Sequence, residues 1–107
     1  MNQTEFKQRV LAWAKIINVK PKEIQIRKMT KKWGECSSSG IVTFAEDLLS
    51  QPLEFIDSVI VHELLHLRYP RHNKMFKLMQ EIYLKEAYKL AENFWCYLIN
   101  IIANLKC

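Results

Sequence analysis

The sequence is organised around one apolar stretch, Val59-Ile60-Val61-His62-Glu63-Leu64-Leu65-His66-Leu67-Arg68. Residues four apart lie on the same face of a helix, about 40° apart around its axis. His62 and His66 can therefore each direct an imidazole nitrogen towards one metal ion, and zinc is the usual metal at this spacing. Glu63 lies roughly 100° round the helix from His62. There it could take a proton from a metal-bound water, as a general base in metal-assisted hydrolysis.

A purely structural explanation competes with this one, because two histidines on a buried helix can be core residues with satisfied hydrogen bonds. Two features favour the metal site. The helix is apolar on nearly every side, so burying the charge of Glu63 there costs free energy, and a role in chemistry would explain its presence. A third candidate ligand also follows at a useful distance, as described below.

Composition predicts one folded domain. The 107 residues are 50% hydrophobic and carry a formal net charge of +5, and a chain of this length builds one core. Much of the charge comes from lysines in the first third, which we interpret as a solvated face, because no nucleic-acid-binding motif accompanies them. The three cysteines are odd in number and widely spaced, which predicts reduced thiols and a cytoplasmic location. No apolar run has the length of a membrane span.

The N-terminal half predicts a helix followed by a small sheet. Thr4 is the expected helix cap and Asn18 the expected end. Between them an apolar stripe recurs at helical spacing, formed by Phe6, Val10, Trp13, Ala14 and Ile17. Residues 22–29 alternate as a half-buried strand does. Residues 31–36 and the strand Ile41–Ala45 flank a turn of three serines and Gly40, which predicts a hairpin.

The C-terminal half predicts two helices separated by Pro70. Pro52 is expected as the first residue of the active-site helix, which runs to Arg68 or Tyr69. His72 begins a long helical tract whose apolar stripe consists of Phe76, Met79, Tyr83, Ala87, Leu90 and Phe94. Beyond Phe94 the tract is apolar on every side, so this chain or a second copy must cover it.

Three residues after His66 are candidates for a third zinc ligand, namely His72, Glu81 and Glu86. We favour His72, because Pro70 ends the helix and lets the chain turn back towards the metal, and a neutral imidazole is a good zinc ligand. Its spacing matches the metzincin pattern, but Tyr69 stands where that pattern needs glycine. Glu81 and Glu86 are interpreted as members of a solvated helix face with Lys85 and Lys89.

These residues together resemble the minigluzincins, which are very small soluble metallopeptidases of the gluzincin tribe. The resemblance covers about residues 22–90. It rests on the order and spacing of Trp33-Gly34-Glu35-Cys36-Ser37, Gly40-Ile41-Val42, the run from Ile56 to Leu67, His72 and Phe76. It implies an α+β, zincin-like fold with an N-terminal backing helix, a small twisted sheet of about three strands, an active-site helix and a long C-terminal helical tract.

The resemblance also implies which residues bind zinc and how the enzyme is kept latent. His62, His66 and His72 would bind one Zn²⁺ per chain, and Glu63 would act as general base and acid. Minigluzincins resemble zymogens whose C-terminal segment blocks the cleft. We therefore expect a peptidase domain over residues 1–92 and an apolar latency or dimerisation segment over residues 93–107. A helix swap in a homodimer is expected, with latency contacts from Trp95, Leu98 and Ile102.

The predicted activity is endopeptidase-type hydrolysis of a peptide or protein substrate. We expect the substrate to add to an exposed edge at Ile41, Val42, Thr43 and Phe44. Tyr69, Arg71 and Tyr83 are weak candidates for the oxyanion partner. Three alternatives stay open: a zinc hydrolase of another substrate such as a nucleotide, a non-catalytic zinc-binding module with four protein ligands, and a DNA-associated protease.

Overall fold

The computed structural model describes residues 1–90 of the chain, with side chains described up to residue 86. Three helices and a three-stranded sheet form an α+β arrangement, which confirms the predicted fold class. In chain order the elements are α1 (Gln3–Ile17), β1 (Glu23–Arg27), β2 (Gly34–Cys36), β3 (Ile41–Ala45), a 3-10 helix (Glu46–Ser50), α2 (Leu53–Leu65) and α3 (Lys74–Leu90). No helix within these residues is long and apolar enough to cross a membrane.

Helix α1 buries the face that its apolar spacing predicts, made of Phe6, Val10, Trp13, Ala14 and Ile17. Its start differs from the prediction, because Asn2 rather than Thr4 is the cap. The side-chain oxygen of Asn2 accepts a hydrogen bond from the backbone N–H of Glu5 at 2.8 Å, which satisfies one free donor of the first turn. Asn18 ends the helix in the left-handed conformation, at φ 64° and ψ 50°, as predicted.

The sheet has the strand order β1-β3-β2. β3 pairs antiparallel with β2, which confirms the hairpin, and parallel with β1. Gly40 closes the turn at φ 95°, a conformation that glycine adopts without strain. Cβ at this position would also approach Lys22 to 3.3 Å.

The prediction of an exposed substrate edge at Ile41, Val42, Thr43 and Phe44 is wrong. β3 is the central strand, so β1 and β2 already occupy both of its edges. Val42, Thr43 and Phe44 are buried. Successive buried positions on both faces are typical of a central strand rather than an edge strand. In the described part of the chain, β1 and β2 are the outer strands of the sheet.

Helix α2 is the centre of the core, as its nearly continuous apolar surface predicts. It starts at Leu53, with Pro52 in the cap position, and ends at Leu65, three residues short of the predicted end at Arg68. The backbone N–H groups of His66, Leu67 and Arg68 bond to carbonyls three residues back, which tightens the last turn as helix ends often do. Arg68 donates to the backbone carbonyl of Ile17 at 3.1 Å, which ties this end of α2 to the end of α1.

The N-terminal half of α2 is fixed to α1 by a buried carboxylate. Asp57 is 1% exposed and accepts from Arg9 through Nε at 2.6 Å and Nη2 at 2.7 Å. The indole N–H of Trp13 also donates to it, at 2.9 Å. A two-pronged arginine pair holds both partners in one geometry, so this contact sets how α1 packs against α2.

Helix α3 follows Pro70 and a short connection, and it starts two residues later than predicted. Asn73 caps it by accepting from the backbone N–H of Phe76 at 2.9 Å. Phe76 is buried, and Met79 and Tyr83 pack against the core, so this part of the predicted stripe is confirmed. Phe94, Trp95, Leu98 and Ile102 lie outside the described residues, as do the predicted domain boundary near residue 92 and the tract beyond it.

Candidate metal centre and cleft

Three histidine side chains converge at the end of α2. Nε2 of His72 lies 3.2 Å from Nε2 of His62 and 2.9 Å from Nε2 of His66. The three ligand atoms all lie within 4.8 Å of one another. Three convergent imidazoles suit zinc, which takes three protein ligands in its catalytic sites. The residues present therefore fit the metal that the sequence predicts.

Local structure explains why the rings meet. His62 lies in the last turn of α2, and His66 is its C-terminal cap. Pro70 prevents the helix from continuing, and the cap at Asn73 starts α3 directly after His72. His72 therefore occupies the corner between the two helices. The geometry agrees with the preference for His72 over the two glutamates.

The glutamates that the sequence offered as alternative ligands are not part of this group. Glu81 forms an ion pair with Lys85 at 2.9 Å, and its side chain is 60% exposed. Glu86 is exposed. Among the residues described, only the three histidines form a cluster able to hold a metal ion. Glu81 and Lys85 thus form the solvated helix face that was expected.

The two helix-borne ligands are held by groups behind them. Nδ1 of His62 lies 2.8 Å from Oε1 of Gln80 on α3. The backbone of Tyr69 and Pro70 lies near the His66 ring and raises its pKa. Burial lowers the pKa of both rings, and the neighbouring histidines lower it further. A lower pKa favours the neutral imidazole, which is the form that binds metals.

Phe76 supports the three rings from the core side. Its ring centroid lies 5.0 Å from that of His62, 4.7 Å from that of His66 and 4.9 Å from that of His72. It is 2% exposed, so the metal-binding nitrogens rest on an apolar surface. Water is thereby kept from one side of the site.

Glu63 lies beside the histidines under strand β2. It is 8% exposed, and burial raises its pKa to about 7, with Lys32 lowering the pKa and Glu35 raising it. A Cβ atom at Gly34 would lie 2.9 Å from Cγ of Glu63. Only glycine lets β2 pass this close to the carboxylate. A carboxylate with a pKa near neutrality is suited to accept and return a proton.

The site opens into a cleft of about 1060 Å³ between the sheet and α2. Its walls are formed by residues 18–20 after α1, by residues 34–40 of β2 and the serine turn, and by the segment from His62 to His72. The proposed oxyanion candidates Tyr69, Arg71 and Tyr83 are absent from the described cleft lining, and both tyrosines pack against the core. No other oxyanion partner is evident among residues 1–86.

Sequence reasoning missed Gln80 and the roles of Gly34 and Phe76. One signal was available for the first and last. Phe76 and Gln80 are four residues apart, so they lie on one face of the following helix. A polar Gln80 on the same face as a buried phenylalanine is expected to have a hydrogen-bond partner. Gly34 belongs to the stretch that carries the family resemblance, but the sequence does not show its role, because the constraint comes from the Glu63 side chain far along the chain.

A family model described as a YgjP-like, metallopeptidase domain matches residues 2–93. The chain belongs to this metallopeptidase family. The match includes every residue of the site described above. No curated protein matches the sequence.

A solved structure shares this fold. The crystal structure of the metallopeptidase zymogen of Pyrococcus abyssi abylysin superimposes with a TM-score of 0.63 and 20% sequence identity. The alignment covers 71% of this chain and 76% of that chain. At this identity the likeness concerns the fold alone, and it confirms the predicted α+β metallopeptidase fold.

Proposed function

We propose that this chain is a zinc-dependent endopeptidase of minigluzincin type, with His62, His66 and His72 as the zinc ligands. Glu63 is the general base. One observation carries the proposal: three imidazole nitrogens meet next to a carboxylate that is nearly buried yet faces a cleft. A zinc-binding module without activity would need a fourth protein ligand, and the described cluster has three members.

Zinc and Glu63 have different roles in this reaction. Zinc, when bound, supplies a Lewis acid that polarises the scissile carbonyl and acidifies water. Glu63 accepts a proton from the attacking water as the new C–O bond forms. It then returns that proton to the leaving nitrogen as the C–N bond breaks. Its raised pKa of about 7 suits both steps.

The free edge of β2 replaces β3 as our candidate for substrate binding. Within residues 1–90, β2 pairs with β3 on one side only, and Gly34 to Cys36 line the cleft beside Glu63. An extended peptide can add to such an edge through main-chain hydrogen bonds. Main-chain pairing would place the scissile bond near Glu63 without requiring a particular side chain.

Residues 93–107 are proposed as a latency segment that also joins two chains as a homodimer, with Trp95, Leu98 and Ile102 as contacts. Their apolar sequence supports this, since it needs an apolar partner surface. Helix α3 offers one: Met75, Leu78 and Ile82 recur at helical spacing and are exposed. A cytoplasmic location and the boundary near residue 92 likewise stay predictions.

The experiment that tests the peptidase proposal compares wild type with Glu63→Ala, each with and without residues 93–107. Glu63→Ala is expected to bind zinc as wild type does and to lose peptide cleavage, because only the base is removed. Removing residues 93–107 is expected to raise wild-type cleavage and leave the variant inactive. Cleavage by Glu63→Ala at the wild-type rate would rule the mechanism out.

A nucleotide hydrolase is the second candidate, favoured by one observation. Lys20 and Arg68 both line the cleft that holds the histidines, and cationic side chains attract phosphate groups. A panel of peptides and nucleoside triphosphates, tested with the truncated chain, separates the two functions. Turnover of nucleotides alone would replace the peptidase proposal while leaving the metal site intact.

A further inference from the structure

We infer that Gln80 is a positioning residue, which fixes the ring orientation and the tautomer of His62 for metal binding. The inference rests on the zinc site of the proposed function and extends it to a residue outside the ligand set. Its basis is the contact of 2.8 Å between Oε1 of Gln80 and Nδ1 of His62. Gln80 lies on α3 and His62 on α2, so one hydrogen bond joins the two helices behind the metal-binding atoms.

The chemistry of the contact admits one productive arrangement. An amide oxygen accepts, so Nδ1 of His62 must carry the proton. Nε2 then has a free lone pair, and Nε2 is the atom directed at His72, 3.2 Å away. If the amide NH₂ group faced the ring instead, Nδ1 would be the acceptor and Nε2 would be protonated. A protonated Nε2 cannot bind a metal.

The three ligands differ in how they are held. His66 lies near backbone groups of Tyr69 and Pro70, which a substitution does not remove. For His72, no hydrogen bond to Nδ1 is found within the described part of the chain. The contact to Nδ1 of His62 comes from the side chain of Gln80. A substitution of Gln80 can therefore remove it. Hydrogen bonds of this kind raise the basicity of a ligand and restrict its rotation.

The matched variants are Gln80→Met, which keeps the length but has no oxygen, and Gln80→Glu, which offers a charged acceptor. We expect zinc affinity, measured by competition with a chromophoric chelator, to fall about 10- to 100-fold in Gln80→Met. Gln80→Glu is expected to bind at least as tightly as wild type. Gln8→Met, an exposed substitution on α1, controls for the loss of a glutamine elsewhere.

A second measurement needs neither metal nor activity. In the metal-free full-length chain labelled with ¹⁵N-histidine, the neutral ring of His62 is expected to carry its proton on Nδ1. In Gln80→Met the population should shift towards the Nε2-protonated form, which predominates in free histidine. Because the wild-type spectrum alone reports the tautomer, the inference stays testable if Gln80→Met does not fold.

The outcomes separate this inference from the proposed function. If wild type binds zinc and Gln80→Met binds it within twofold of wild type, Gln80 has no positioning role. A wild-type His62 protonated on Nε2, or a Gln80→Glu variant that binds at least tenfold more weakly, would also overturn it. If wild type binds no zinc at all, the metal site itself fails, and with it the peptidase proposal.

Discussion

Helix α2 buries two carboxylates in opposite surroundings. Asp57 is 1% exposed and accepts hydrogen bonds from Arg9 and Trp13. Glu63 is 8% exposed and faces the cleft. Among the described residues no cation lies within ion-pair distance of Glu63. Its pKa is raised to about 7, with burial as the main cause.

The difference separates a structural acid from a chemical one. Burial penalises any carboxylate, and a nearby arginine offsets that penalty. The protein supplies this compensation to Asp57, where the charge joins α1 to α2. Glu63 has no such partner among the described residues, and the proposed general base is a group that gains and loses a proton near neutral pH. Each of the following predictions tests this contrast.

Removing the carboxylate of Asp57 should have the largest effect. Asp57→Ala leaves Arg9 and the indole N–H of Trp13 without this acceptor. Breaking one partner of a buried ion pair costs about 3–5 kcal/mol. We expect a loss of that order in the free energy of unfolding, measured by urea denaturation of the metal-free chain.

The control for this substitution is Asp47→Ala, because Asp47 is an exposed acid in the 3-10 helix. A change within about 0.5 kcal/mol is expected there. If the two variants were equally stable, Asp57 would not be the link between α1 and α2.

Removing the charge of Glu63 should raise the free energy of unfolding rather than lower it. Its pKa is 4.5 when exposed and about 7 in the folded chain. Between these values the folded state binds more protons than the unfolded state, so stability falls as pH rises. A shift of this size corresponds to roughly 3 kcal/mol. Metal-free Glu63→Gln should therefore be more stable than wild type at pH 8, by up to that amount, and similar to it at pH 4.5.

Urea denaturation at the two pH values measures the difference directly. Asp57→Asn provides the comparison on the same helix, since it removes a charge that has partners and should not stabilise the chain at either pH. Equal stability of Glu63→Gln and wild type at pH 8 would mean that Glu63 is compensated in the folded state. The contrast between the two acids would then be lost.

Patterns of neighbouring residues predicted the buried face of α1 and the positions of the three histidines. The buried face of α1 follows from apolar spacing alone, and the two helical histidines follow from the geometry of one turn. His72 could be chosen over Glu81 because Pro70 forces a corner just before it. These features depend on residues close together in the chain.

The misjudged features depend on partners far apart in sequence. The prediction of an edge at Ile41–Ala45 fails, because the sequence does not show that this strand pairs in parallel with β1 as well as antiparallel with β2. Gly34 needs its missing side chain only because Glu63 approaches it from α2. Asn2 and Thr4 are both good caps, and the sequence offers no means of choosing between them.

The smallest predicted effects concern the charges around Glu63. Lys32 and Glu35 form an exposed ion pair at 2.7 Å, and they shift the pKa of Glu63 in opposite directions. Lys32→Met should raise this pKa and move the low-pH limb of kcat/KM to higher pH. Glu35→Gln should lower the pKa and move the limb to lower pH. Both shifts should shrink in high salt, because exposed charges are screened. Shifts in the same direction for both variants would show that the low-pH limb reports a group other than Glu63.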